Sequence, residues 1–120
     1  MRTVLLVDDS DMVLRLAGFA LKKAGYQVIT ASDGEDGVTQ LNGQEIDLLI
    51  TDLNMPNKDG IALIRQMRSM PYYRFLPAIL FMSDPYKNVE ENIRNSGATV
   101  LFDKDGIKDM LIATVKKMIG

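Results

Sequence analysis

Asp8 and Asp9 follow Val4-Leu5-Leu6-Val7, and Asp52 follows Leu48-Leu49-Ile50-Thr51. Each carboxylate stands where an apolar run stops, the pattern of a strand leaving a core. Taken singly, each also fits an ordinary solvated residue at a loop start. If the two runs are neighbouring strands, three negative charges converge on one spot, and a cation is needed to fill it. The chain has no histidine and no cysteine, so its metal donors are oxygens. Such a set selects a hard cation, and Mg²⁺ is the usual one where phosphate is a co-ligand. The same absences remove the commonest general base, the commonest zinc ligand, thiolate nucleophiles and disulfides. What remains is carboxylate chemistry.

The segments around these residues alternate. Strand-type runs cover Thr3 to Val7, Gln27 to Ala31, Leu48 to Thr51, Ala78 to Met82 and Thr99 to Phe102. Helix-type stretches cover Met12 to Ala24, Gly34 to Asn42, Ile61 to Arg68, Lys87 to Asn95 and Ile107 to Met118. Gly25 and Gly97 fit C-terminal caps, Ser32 with Glu35 resembles a capping box, and Pro71 and Pro77 bracket a loop. This alternation predicts an α/β fold: a (βα)5 doubly wound, five-stranded parallel sheet covered on both faces. Ligands of such sheets bind beyond the carboxyl ends of the strands, where the winding reverses. With the flavodoxin-like order 2-1-3-4-5, the first and third strands are adjacent there, which brings Asp8, Asp9 and Asp52 together.

The bulk properties agree with a single domain over residues 1–120. Hydrophobic residues make up 47% and charged residues 25%, ordinary values for a globular chain. The net charge is -2, with scattered basic residues, which argues against direct nucleic-acid binding. No apolar stretch approaches membrane-spanning length, and Met1-Arg2-Thr3 leads directly into a strand rather than a signal peptide. The expectation is a cytoplasmic protein.

Val7-Asp8-Asp9-Ser10, then Asp52-Leu53-Asn54-Met55-Pro56-Asn57-Lys58-Asp59-Gly60, then Lys104, resemble the receiver domain of two-component response regulators. The resemblance covers essentially the whole chain, and the loop after Asp52 is similar to chemotaxis-type single-domain receivers. It implies that Asp52 is the phosphoacceptor, taking a phosphoryl group from a histidine kinase or phosphotransfer protein. It implies Mg²⁺ at Asp8, Asp9 and Asp52, with the Asn54 backbone carbonyl as a further ligand. Lys104, which alone reads as a surface lysine, would contact the phosphoryl group. Such a domain is a signalling module rather than an enzyme. Two related chemistries fit less well. Asp8 and Asp9 would repel a flavin phosphate, and a haloacid-dehalogenase-type phosphatase needs an acidic residue where this chain has Asn54.

The departures from that pattern fall at the switch. Receivers place Thr or Ser at the position occupied here by Met82, and an aromatic at the position of Leu101. Ser83 and Phe102 are adjacent, but neighbouring strand residues face opposite ways. The usual Lys-Pro pair is Lys104-Asp105, for which a trans bond is expected because a cis bond before a non-proline residue costs about 2.5–4 kcal/mol. The phosphorylation apparatus is therefore expected without the usual hydroxyl-to-aromatic relay. Two further readings stay open: a docking module without phospho-control, and the receiver fragment of a longer regulator. On the first helix, Met12 and Leu14 are apolar beyond what one buried stripe needs. The Pro71-Tyr72-Tyr73-Arg74-Phe75 loop reads as rings lying on the sheet end, or as a partner site.

Overall fold

A computed structural model describes residues 1–82 and 90–120. The strands are β1 (Thr3–Val7), β2 (Gln27–Ala31), β3 (Leu48–Asp52), β4 (Ala78–Met82) and β5 (Val100–Asp103). They form one parallel sheet in the order β2-β1-β3-β4-β5. Every residue of β1, β3 and β4 is buried, while β2 and β5, at the edges, are partly exposed. Continuous apolar runs mark the inner strands because both faces of a parallel sheet are covered.

The helices are α1 (Asp11–Lys23), α2 (Gly34–Gln40), α3 (Gly60–Ser69), α4 (Glu91–Arg94) and α5 (Leu111–Ile119). Side-chain alternation along the strands feeds two apolar clusters. Leu5, Val7, Leu49, Leu80 and Met82 pack with Leu63, Ile64 and Ile93 on the side of α2, α3 and α4. Val4, Leu6, Leu48, Ile50, Ile79 and Phe81 pack with Leu21, Leu111 and Val115 on the side of α1 and α5. Together these layers hold the carboxyl ends of β1 and β3 in register, with Val7 opposite Thr51.

Several boundaries differ from the sequence expectation. Helix α2 is capped by Asp33, whose carboxylate accepts the Asp36 N–H at 2.8 Å, and the Asp36 carboxylate accepts from Ser32 N–H. The capping pair is thus one residue later than Ser32 and Glu35, because Asp33 takes the extended conformation a cap needs. Gly25 and Gly97 do follow helix ends, with φ of 100° and 92°. Helix α5 begins at Leu111 rather than Ile107. A short 3-10 turn, Lys104–Gly106, intervenes, capped by the Asp103 carboxylate on Asp105 N–H at 2.9 Å. The expected start of the fourth helix, Lys87, lies outside the described residues. No cis peptide bond occurs among the described residues, and Lys104–Asp105 is trans.

Two surface readings also need correction. On α1, Leu14 packs on the core, whereas Met12 (76% exposed), Leu16 and Phe19 (67%) form the exposed apolar face. The buried stripe runs through Leu14, Ala17, Gly18 and Leu21, so Met12, Leu16 and Phe19 project on the opposite side. In the loop after α3, a 3-10 turn (Pro71–Tyr73) buries Tyr73 alone; Tyr72 and Phe75 (88%) are exposed. The Tyr73 hydroxyl donates to the Gln44 carbonyl at 2.7 Å and accepts the Gly43 N–H at 2.9 Å, which explains why this ring and not its neighbours is drawn in. Among the described residues, no helix is long and apolar enough to cross a membrane.

Candidate functional site

Asp8 leaves β1 fully buried, and Asp52 ends β3 nearly so, at 6% exposure. Asp9, the next residue, is exposed. One carboxylate oxygen from each of the three lies within 4.8 Å of the others. The adjacency of β1 and β3 produces this convergence, since residues 8 and 52 extend two strands that are hydrogen-bonded neighbours.

Local backbone donors orient two of the carboxylates. Ser10 caps α1 with its hydroxyl on Val13 N–H at 3.3 Å, and its own N–H donates to Asp8 Oδ1 at 2.9 Å. The Leu53 N–H donates to Asp52 Oδ1 at 2.9 Å. Lys104 enters from the turn after β5, with Nζ 2.9 Å from Asp52 Oδ1 and 3.4 Å from Asp8 Oδ2. The longer contact is electrostatic, because Asp8 Oδ2 is buried with no hydrogen-bond partner among the described residues.

These placements set the charge balance. Burial raises the Asp8 pKa above its usual value of 3.8, and the negative Asp52 adds to the rise; Ser10 N–H and Lys104 oppose it. Burial works to lower the Lys104 pKa, yet the bond to Asp52 and the charges of Asp8 and Asp52 outweigh it, and the net direction is upward. Among the described residues, the pocket thus carries three carboxylates against one ammonium. An all-oxygen donor set with an orphaned buried oxygen fits a hard divalent cation such as Mg²⁺. Asp8, Asp9, Asp52 and the Asn54 carbonyl, in the loop just beyond Asp52, are the residues that could hold it.

Of the expected switch positions, Met82 stands at the end of β4, next to the strand that carries Asp52. Asp52 pairs in register with Phe81, and Met82 is the next residue of β4, opposite Asp103. Met82 is buried in the cluster on the α3 and α4 side, and Leu101 packs against that same cluster. Phe102 faces the other way and meets Phe81 with ring centroids 5.6 Å apart. Ser83 lies outside the described residues. One feature escaped the sequence reading: the loop after Asp52 is held by α2, through a bond from the Asn57 amide to Asp33 Oδ2 at 3.2 Å. A capping aspartate before Gly34 was the available signal, but nothing local tied it to residue 57.

The family model described as "Response regulator receiver domain" matches residues 4–116. The sensor histidine kinase RcsC of Salmonella typhimurium is 31% identical over 112 residues, 93% of this chain and 12% of RcsC. The chemotaxis protein CheY4 of Vibrio cholerae superimposes with a TM-score of 0.91 at 28% identity, covering 98% of both chains. The response regulator TrrA of Thermotoga maritima, solved with Mg²⁺-BeF, superimposes with a TM-score of 0.85 at 25% identity, covering 98% of this chain and 99% of TrrA. TrrA has also been solved in complex with the histidine kinase ThkA. The chain spans between 10% and 28% of the length of the curated relatives it matches.

Proposed function

We propose that this chain, which belongs to the response regulator receiver domain family, accepts a phosphoryl group on Asp52 and signals by protein contact. The observation that carries this reading is Lys104 Nζ held 2.9 Å from Asp52 Oδ1 inside a pocket of three convergent carboxylates. Asp52 Oδ2 is not engaged by Leu53 or Lys104, and it is the oxygen we assign as nucleophile. Its O–P bond forms as the P–N bond of a donor phosphohistidine breaks. Lys104 then offers a point charge to a phosphoryl oxygen. Mg²⁺, held by Asp8, Asp9, Asp52 and the Asn54 carbonyl, would neutralise charge on the phosphoryl oxygens. Ser10 N–H orients Asp8 through its Oδ1 and leaves Oδ2 facing Lys104.

The donor partner in this reading is a histidine kinase or phosphotransfer protein of the cytoplasm. The apolar face of Met12, Leu16 and Phe19, on the helix that starts just after Asp9, is the surface we assign to it. The solved pairing of TrrA with ThkA supports that partnership. Such a domain can act alone or as the receiver of a longer regulator. No autonomous turnover is assigned to it: it assists its own phosphorylation and dephosphorylation at Asp52.

The switch would be atypical, because Met82 and Leu101 share one apolar cluster and offer neither hydroxyl nor aromatic ring there. That observation favours a second reading, a module that docks constitutively. Incubation with Mg²⁺ and acetyl phosphate separates the two. A mass increase of one phosphoryl group that Asp52→Asn abolishes supports the first, and an unmodified wild-type chain supports the second.

A further inference from the structure

Residues 53–59, which carry Asn54, leave β3 and return to α3. Their neck is closed by Gly60 N–H donating to the Leu53 carbonyl at 2.9 Å. Their tip rests on a second element. The Asp33 carboxylate caps α2 through one oxygen, on Asp36 N–H at 2.8 Å, and accepts the Asn57 side-chain amide through the other at 3.2 Å. Gly34 leaves no clearance beside this bond: a Cβ there would lie 2.1 Å from the Lys58 carbonyl oxygen and 2.6 Å from the Lys58 Cβ. Asn57 itself has φ of 69°, the one positive value among the described non-glycine residues. Asn and Asp tolerate that region better than most residues.

We propose that Asp33 and Asn57 are positioning residues for the metal site: their bond seats the loop tip on α2 and so fixes the direction of the Asn54 carbonyl. That carbonyl lies between the closed neck and the seated tip. With both ends held, the backbone between them, which carries that carbonyl, has little freedom to turn. Residues that hold a ligand in place, without touching the metal, commonly change affinity when removed. The inference rests on the receiver reading of the pocket.

Two substitutions remove the bond while respecting local needs. Asp33→Ser keeps a capping oxygen for α2 but is too short to reach Asn57. Asn57→Gly keeps the positive φ but removes the amide. Mg²⁺ affinity is read by NMR titration of the free protein, and melting is read in EDTA. Each variant should bind Mg²⁺ about tenfold more weakly than wild type, the low end for such supporting contacts. The double variant should lose no more than either single one, because both remove the same bond. Unchanged affinity in the single variants, or additive losses in the double, would overturn the clamp while leaving the receiver reading intact. A loss matched by an equal fall in EDTA melting would also overturn it, as general loosening. Wild-type protein that binds no Mg²⁺ would remove the receiver reading and this proposal together.

Discussion

Lys104 Nζ lies 2.9 Å from Asp52 Oδ1, although the two residues come from different strand ends with β4 between them in the sheet. Among the described residues, this ammonium is the counter-charge for Asp52 and, at 3.4 Å, for Asp8. Removing one partner from such a pair leaves a poorly solvated charge behind.

Lys104→Ala should therefore lower the stability of the metal-free protein by about 1–3 kcal/mol. Urea melts in EDTA read the loss. Adding Mg²⁺ should restore part of it, since the cation takes over the neutralising role. A variant as stable as wild type in EDTA would show that the pair contributes little.

Asp8→Asn should act in the opposite direction. The raised pKa of Asp8 means that its charged form is disfavoured in the folded state, chiefly by burial. Between 3.8 and the folded pKa, the native state holds more protons than the unfolded one, so the Asp8 contribution to stability falls as pH rises. In EDTA the variant should be more stable than wild type at pH 7. That advantage should shrink as pH drops through the folded pKa towards 3.8 and vanish below it. A pH-independent difference would separate the effect from Asp8 ionisation.

Met82→Thr with Leu101→Tyr should enlarge the response to beryllofluoride. A hydroxyl at residue 82 would supply a charge-assisted hydrogen bond worth about 1.5–3 kcal/mol. A ligand shifts an equilibrium only through its differential affinity for the two states. Amide shift changes across residues 90–103 should be larger in the double variant than in wild type. Equal changes would mean that the apolar pair already transmits the signal.

Tyr73→Phe tests the anchor beneath the loop after α3. Burial raises the pKa of its phenol above 10.0, with the Gly43 N–H opposing. Above pH 10.0 the unfolded phenol ionises first, the native state keeps its proton longer, and stability falls as pH rises. The variant should cost about 1–3 kcal/mol at pH 7, from the lost bonds to Gly43 and Gln44. It should also decline less than wild type between pH 9 and 11, as thermal melts would record. Lys104, whose raised pKa pulls stability down in the same alkaline range, is common to both proteins and drops out of the comparison.

The alternation of apolar runs and amphipathic stretches made the five strands, the parallel sheet and the carboxylate positions legible before any coordinates. Period and burial are short-range properties, set by which residues a strand or helix must hide. The strands Thr3–Val7, Gln27–Ala31 and Ala78–Met82 coincide with the expectation for that reason. Caps and turns were less legible. Asp33 and Ser32 are both good capping residues, and only the backbone path into α2 chooses between them. The sharing of one cluster by Met82 and Leu101 depends on the register of β4 against β5, and their alternation alone does not specify it. Likewise, the exposed side of α1 is decided by the face that the sheet covers. Contacts such as Lys104 with Asp52 or Asn57 with Asp33 join residues far apart in the chain. They exist because the packed sheet brings separate turns to one end, and no local pattern encodes that distance.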